Sequence, residues 1–187
     1  MSRVVVGVAV AVALIAFGAS SCVSIPDVDR TTTILTPDYD TFAGDKNNAG
    51  VHSFLEHRCG TLDCHGQVGR PFRLFSQDGL RAVNDGGVIV SGDNIPDTPG
   101  EIYSNYVSAI GLQPEEMSRV VAGDDPPTDL LLITKPTALE THKGGEVITV
   151  GDVSYRCLTT WLTLTPKASA TDRATNEADC NEAAKIP

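Results

Sequence analysis

A mainly α domain with long loops and little strand is the fold class this sequence predicts. Apolar side chains recur at helical spacing in four segments, cap and stop residues bound those segments, and only two short runs look strand-like. The first helix is expected from Asn48 to Cys59, where Val51, Phe54, Leu55 and Arg58 share a face. Gly69-Arg70-Pro71 then breaks the chain, Phe72 to Phe75 forms a short apolar patch, and Ser76 to Gly79 reads as a turn. Residues 82–100 form a long loop around the strand-like run Val88-Ile89-Val90. Pro99-Gly100-Glu101 opens a second helix that sets Ile102, Tyr103, Tyr106, Val107 and Ile110 on one side and stops near Gly111. Asp125 as N-cap and Pro126 at the first helical position open a third, with Leu130 to Leu132 behind them and Pro136 as its end. After the glycine-rich turn His142 to Gly145 and a brief strand over Glu146 to Val150, Asp152 caps a last helix reaching about Leu164. Its apolar face holds Tyr155, Cys157, Leu158, Trp161 and Leu162.

The ends carry different information. Arg3 precedes the apolar run Val4 to Phe17, which is shorter than the roughly 20 residues a spanning helix needs, so residues 1–21 are expected to be a signal peptide. Three small residues and then Cys22 resemble a bacterial lipoprotein box, with Ala19 where that motif more often has Leu. The resemblance implies acylation of Cys22 and a lipid anchor in the cell envelope, periplasmic or outer-membrane; ordinary secretion with a spare thiol is the alternative. Residues 22–46, with Pro26, Pro37, Gly44 and no sustained apolar period, read as a flexible tether to a domain over 47–166. Residues 167–187 read as a mobile polar tail restrained by Cys180.

Composition excludes several function classes. The formal charge of −10, or −11 once Arg3 leaves with the leader, has no basic cluster beside it, so nucleic acid is not an expected partner. The chain has no Gly-x-Ser-x-Gly elbow and no Gly-Lys-Ser/Thr phosphate loop, which disfavours acyl and phosphoryl transfer.

The chemistry concentrates in Cys59-Gly60-Thr61-Leu62-Asp63-Cys64-His65-Gly66. Cys-x-x-Cys-His marks covalent haem attachment: two thiols bond the vinyl groups and the next histidine lies under the iron. Here four residues separate the cysteines instead of two, while the Cys-His step is intact. Cys59 and Cys64 are therefore the expected haem thioethers and His65 the proximal ligand. A Cys59–Cys64 disulfide with His65 merely exposed, and a zinc site built on the same three residues, are the competing readings. For the sixth ligand the available side chains are His142, Met117, His52 and His57. His142 ranks first because Gly144-Gly145 lets backbone approach a porphyrin, and Met117 is the alternative; His52 and His57 are poor joint ligands, being five apart on one helix. Cys157 and Cys180 make an even remainder and are expected to pair, with a buried, unpaired Cys157 as the alternative.

By pattern, the chain resembles the class I c-type cytochromes. The residues that carry the likeness are Val51 to Leu55 leading to Cys59 and Cys64-His65-Gly66, the stretch Val120 to Leu132 around Gly123-Asp124-Asp125-Pro126, and the aromatic helix Tyr155 to Leu162. The resemblance implies a helical fold round one covalent haem c, crossing of the first and last helices, a backbone carbonyl near Pro71 accepting from His65, and Trp161 in the core or at the haem edge. It also implies electron carriage more than catalysis, with redox partners the sequence does not identify. A haem-free, disulfide-stabilised envelope lipoprotein acting as a binding or structural module is the alternative function.

Overall fold

The computed structural model describes residues 34–83 and 95–186; the expected signal peptide, Cys22 and the strand-like run 88–90 lie outside them. The described residues are mainly helical, and the extended pairing among them is a single bridge between Phe75 and Leu80. The α-helices in chain order are α1 (Tyr39–Ala43), α2 (Gly50–Cys59), α3 (Pro99–Ile110), α4 (Pro114–Ala122), α5 (Leu131–Thr134), α6 (Val153–Thr163) and α7 (Ala170–Ala183).

The core forms where α1, α2 and α6 meet. Trp161 and Phe42 are fully buried with ring centres 5.2 Å apart, and Tyr106 joins them at 5.4 Å from Phe42. Burying an indole leaves its N–H needing an acceptor, and Trp161 Nε1 donates to the Asp38 carbonyl at 2.9 Å. Trp161 is thus a core side chain. Asp38 in turn caps α1 by accepting from the Thr41 backbone and hydroxyl, and its own N–H donates to the Leu164 carbonyl at 2.9 Å. Burial opposes the Asp38 charge, but the Thr41 hydrogen bonds and the Arg173 guanidinium outweigh it and hold the carboxyl below its usual range.

Several sequence expectations need correction. Residues 34–46 are part of the domain, because Phe42 of α1 fills the core and the chain is tied to α6 through Asp38. The tail is α7, opened by a Ser169/Asp172 capping box and stapled to α6 by the Cys157–Cys180 disulfide. The helix expected from Asp125 is broken: Pro127–Asp129 is one 3-10 turn, Leu130 is extended with ψ 138, and only α5 follows. Asp125 pairs with Arg119 at 2.5 Å instead of capping. In its place α4 was missed; Pro114 at its start, the acidic pair Glu115-Glu116 in its first turn and Gly123 at φ +86 after its end mark it out. The strand over 146–150 does not form, since Val147 and Ile148 both donate to the Pro136 carbonyl. On α3 the buried face holds Glu101, Asn105, Tyr106 and Ala109, while Tyr103 and Val107 are exposed.

That polar face of α3 anchors a buried charged cluster. Glu101 completes a capping box with Thr98, and both its oxygens take hydrogen bonds from Arg81 at 2.9 Å. Burial would raise the Glu101 carboxyl, yet Arg81 and the backbone donors outweigh it and depress the pKa to about 2. Nearby, burial presses the His52 imidazole down, but Asp97 and Glu56 outweigh it and hold its pKa up at about 9.

Two outcomes follow from these contacts. Replacing Cys157 and Cys180 with Ser should cost roughly 3 kcal/mol in urea unfolding, because the bridge closes the α6–α7 loop in the unfolded chain. Glu101 is fully ionised and stabilising above its ordinary value of 4.5, and that contribution drains away as pH falls through about 2. Wild type should therefore exceed Glu101→Gln by roughly 3 kcal/mol at pH 7 and match it near pH 2; a difference that persists in acid would refute the assignment.

Candidate functional site

The cysteine loop is shaped by backbone packing. α2 ends at Cys59, and the Gly60 N–H closes its last turn on the Glu56 carbonyl at 3.0 Å. A Cβ on either Gly66 or Gly79 would run into the Gly60 carbonyl oxygen, which also accepts from the Ser76 hydroxyl at 2.5 Å. The wide spacer folds on itself: Cys64 N and Gly66 N both donate to the Thr61 carbonyl, at 3.0 and 2.9 Å. That turn absorbs the extra residues and lets His65 N donate back to the Cys59 carbonyl at 2.9 Å. Downstream, Leu74 N bonds His65 O and Leu80 N bonds Gly66 O, both at 2.9 Å, so the segment after the motif straps the loop in place.

Cys59, Cys64 and His65 open into one cavity of about 430 Å³, within the range of about 300 to 1,000 Å³ usual for small-molecule and cofactor sites. Its walls are apolar: Leu55 from α2, Leu131 and Leu132 at α5, Leu158 from α6, with Pro71, Phe72, Leu112 and Ile148 from the loops. Arg70, Lys135 and Lys143 line it too, against Asp63 as the acidic lining residue, so a chain of net charge −10 presents a locally cationic cavity. Lys135 is held by Glu140 at 2.9 Å and by the Thr141 carbonyl.

His142 lines the same cavity as His65. The two rings are nearly parallel, at 10°, with centres 6.1 Å apart. Each is oriented by a carbonyl, His65 Nδ1 lying 2.7 Å from Phe72 O and His142 Nδ1 2.9 Å from Gly145 O. A carbonyl only accepts, so both Nδ1 atoms carry a proton, which makes Nε2 the nitrogen through which either neutral ring would ligate. The His65 acceptor lies one residue beyond Pro71. Burial is the main cause that holds the His65 imidazole below its usual range, with His142 and Arg70 adding to it, and this favours the neutral, ligating form.

The two sulfurs are unbonded to each other. Burial, reinforced by Cys64, pushes the Cys59 thiol up to about 12, away from the thiolate that oxidises readily. The other side chains on the sequence shortlist lie elsewhere. Met117 is buried in the core on α4, His52 sits in the charged cluster, and His57 is exposed on α2; none lines the cavity. Sequence reasoning missed Arg70, Lys135 and Lys143, although all three flank prolines or glycines that turn the chain toward the cavity. No family model, curated protein or solved structure matches the chain.

A Cβ at Gly144 would sit 3.0 Å from His142 Cε1, so Gly144→Val should push that ring off the Gly145 carbonyl. Imidazole ¹⁵N shifts should report the Nδ1–H tautomer for both rings in the wild type and a change at His142 alone in the variant; unchanged His142 signals would refute the packing.

Proposed function

We propose that this chain is an envelope-anchored, single-haem protein of the c type that carries electrons, with Cys59 and Cys64 as the covalent attachment points and His65 and His142 as the two iron ligands. One observation carries the reading: the 6.1 Å between the His65 and His142 ring centres. Two imidazoles that both held one metal ion through a nitrogen about 2 Å away would have ring centres roughly 6 Å apart. Both thiols belong to the same cavity, as covalent attachment demands.

The residues divide the work. Cys59 and Cys64 would hold the haem covalently as thioethers, which requires the reduced sulfurs seen here and no oxidant. His65 and His142 present Nε2, held by the Phe72 and Gly145 carbonyls. Leu55, Leu131, Leu132 and Leu158 exclude water, while Arg70, Lys135 and Lys143 offer positive charge to the two carboxylates a haem carries. Bound haem supplies reversible one-electron chemistry. With His65 and His142 both holding the iron, the group would supply electron transfer in preference to catalysis, and two histidines would give a lower potential than histidine with methionine. The leader and Cys22 support attachment to the membrane surface.

Full-length protein made in a bacterium with a haem-attachment system should be red, retain haem after denaturation, and show a low-spin spectrum. His142→Met should raise the reduction potential by on the order of 100 mV, a fraction of the range of about 0.8 V that axial ligands command. Colourless protein whose intact mass shows Cys59 joined to Cys64 would overturn the reading in favour of a haem-free envelope lipoprotein.

A further inference from the structure

Away from the cavity, His52, Glu56 and Asp97 bring three ligand-type atoms within 4.8 Å of one another. His52 and Glu56 lie one turn apart on α2, and Asp97 immediately precedes Thr98, the cap of α3. Their side chains are 6%, 7% and 2% exposed and so lie in the interior. Asp97 Oδ2 has His52 Nε2 beside it, but Glu56 Oε1 and Asp97 Oδ1 accept no hydrogen bond. A buried carboxylate oxygen with nothing to accept is costly, so two in one pocket mark a missing partner. The charges agree. Glu56, Asp97 and Glu101 are three carboxylates against two basic side chains, His52 and Arg81, and the Arg81 guanidinium is spent on both oxygens of Glu101 and stays 3.6 Å from Asp97.

We propose that His52, Glu56 and Asp97 form a second site, independent of the haem reading, that binds a divalent transition-metal ion of the zinc class. His52 Nε2 lies 3.3 Å from Glu56 Oε2 and 3.2 Å from Asp97 Oδ2. Donors held about 2 Å from one tetrahedral ion are separated by roughly 3.3 Å, so His52 already stands at ligand spacing from each carboxylate, and all three atoms lie within 4.8 Å. One nitrogen with two carboxylates suits zinc or manganese better than calcium, which takes about six to eight oxygens. Asn105, fixed by hydrogen bonds to both backbone groups of Phe75, stands 3.4 Å behind His52 Nδ1 and backs the ring from the side away from the carboxylates. The ion would tie α2 to the start of α3, giving it a structural role.

The test uses the full-length protein, haem-loaded or not. Elemental analysis should find close to one zinc or manganese per chain besides any iron, and dialysis against EDTA should remove it and lower the melting temperature. Adding back ZnCl₂ or MnCl₂ should restore the melting temperature, with affinity weakened by more than about tenfold in Asp97→Asn and in Glu56→Gln. Circular dichroism establishes that each variant folds, and should one fail to fold the other carries the comparison. Absence of stoichiometric metal together with no melting shift on addition of either salt would overturn the site, as would equal shifts in wild type and variants. Haem content reads the cavity separately, so either result leaves the other reading standing or falling by itself.

Discussion

Two stretches of backbone meet the Gly60 carbonyl so closely that a Cβ on either would collide with it. Gly66 and Gly79 press against it, and the Ser76 hydroxyl donates to it. Everything in the cavity depends on that meeting. It turns the chain sharply at the end of α2, so that Cys59 and Cys64 open into one space, and it lets the strap after the motif bond His65 and Gly66 from outside. Such close backbone contact is available only to residues without a Cβ. The widened spacer is tolerated because its additional residues are spent in a turn on the Thr61 carbonyl, above the layer where Cys59 and His65 join.

Local signals were readable where one residue decides the outcome. Asp152 caps α6 by accepting from Tyr155 N, Pro99 opens α3, and Cys157 pairs with Cys180, each as spacing and capping chemistry suggest. Failures came where a tertiary partner takes a residue away from its local role. Asp125 looks like a cap until Arg119 claims it, and 146–150 looks like a strand until Pro136 takes its donors. The periodicity of α3 misled because two of its buried positions are Glu101 and Asn105. Polar residues there are stable only because Arg81 and the Phe75 backbone meet them, and those partners are remote in sequence.

The cavity was half legible. Cys59, Cys64 and His65 announce themselves by adjacency, whereas His142 could be ranked only by its glycine-rich turn. No sequence rule foretold that its ring would lie parallel to His65 or that Gly145 would fix its tautomer. The charge distribution was hidden altogether. A strongly acidic composition conceals a cavity lined by three cations, and elsewhere a buried knot of carboxylates. Net charge speaks to solubility and long-range attraction, and local sign is a matter of folding.

Asp38 is tied on three sides: its N–H on Leu164, its carbonyl on Trp161, its carboxylate on Arg173 of α7. Ahead of it the Leu35 N–H rests on the Ser118 hydroxyl of α4 and the Pro37 carbonyl accepts from Tyr106 of α3. Tension running along the polypeptide from upstream would therefore be met in turn by α4, by α3 and by the α6–α7 pair, which is already sewn together by a covalent bridge. None of these anchoring groups belongs to the cysteine loop or to the His142 turn, so the load falls first on other parts of the domain than the histidine pair.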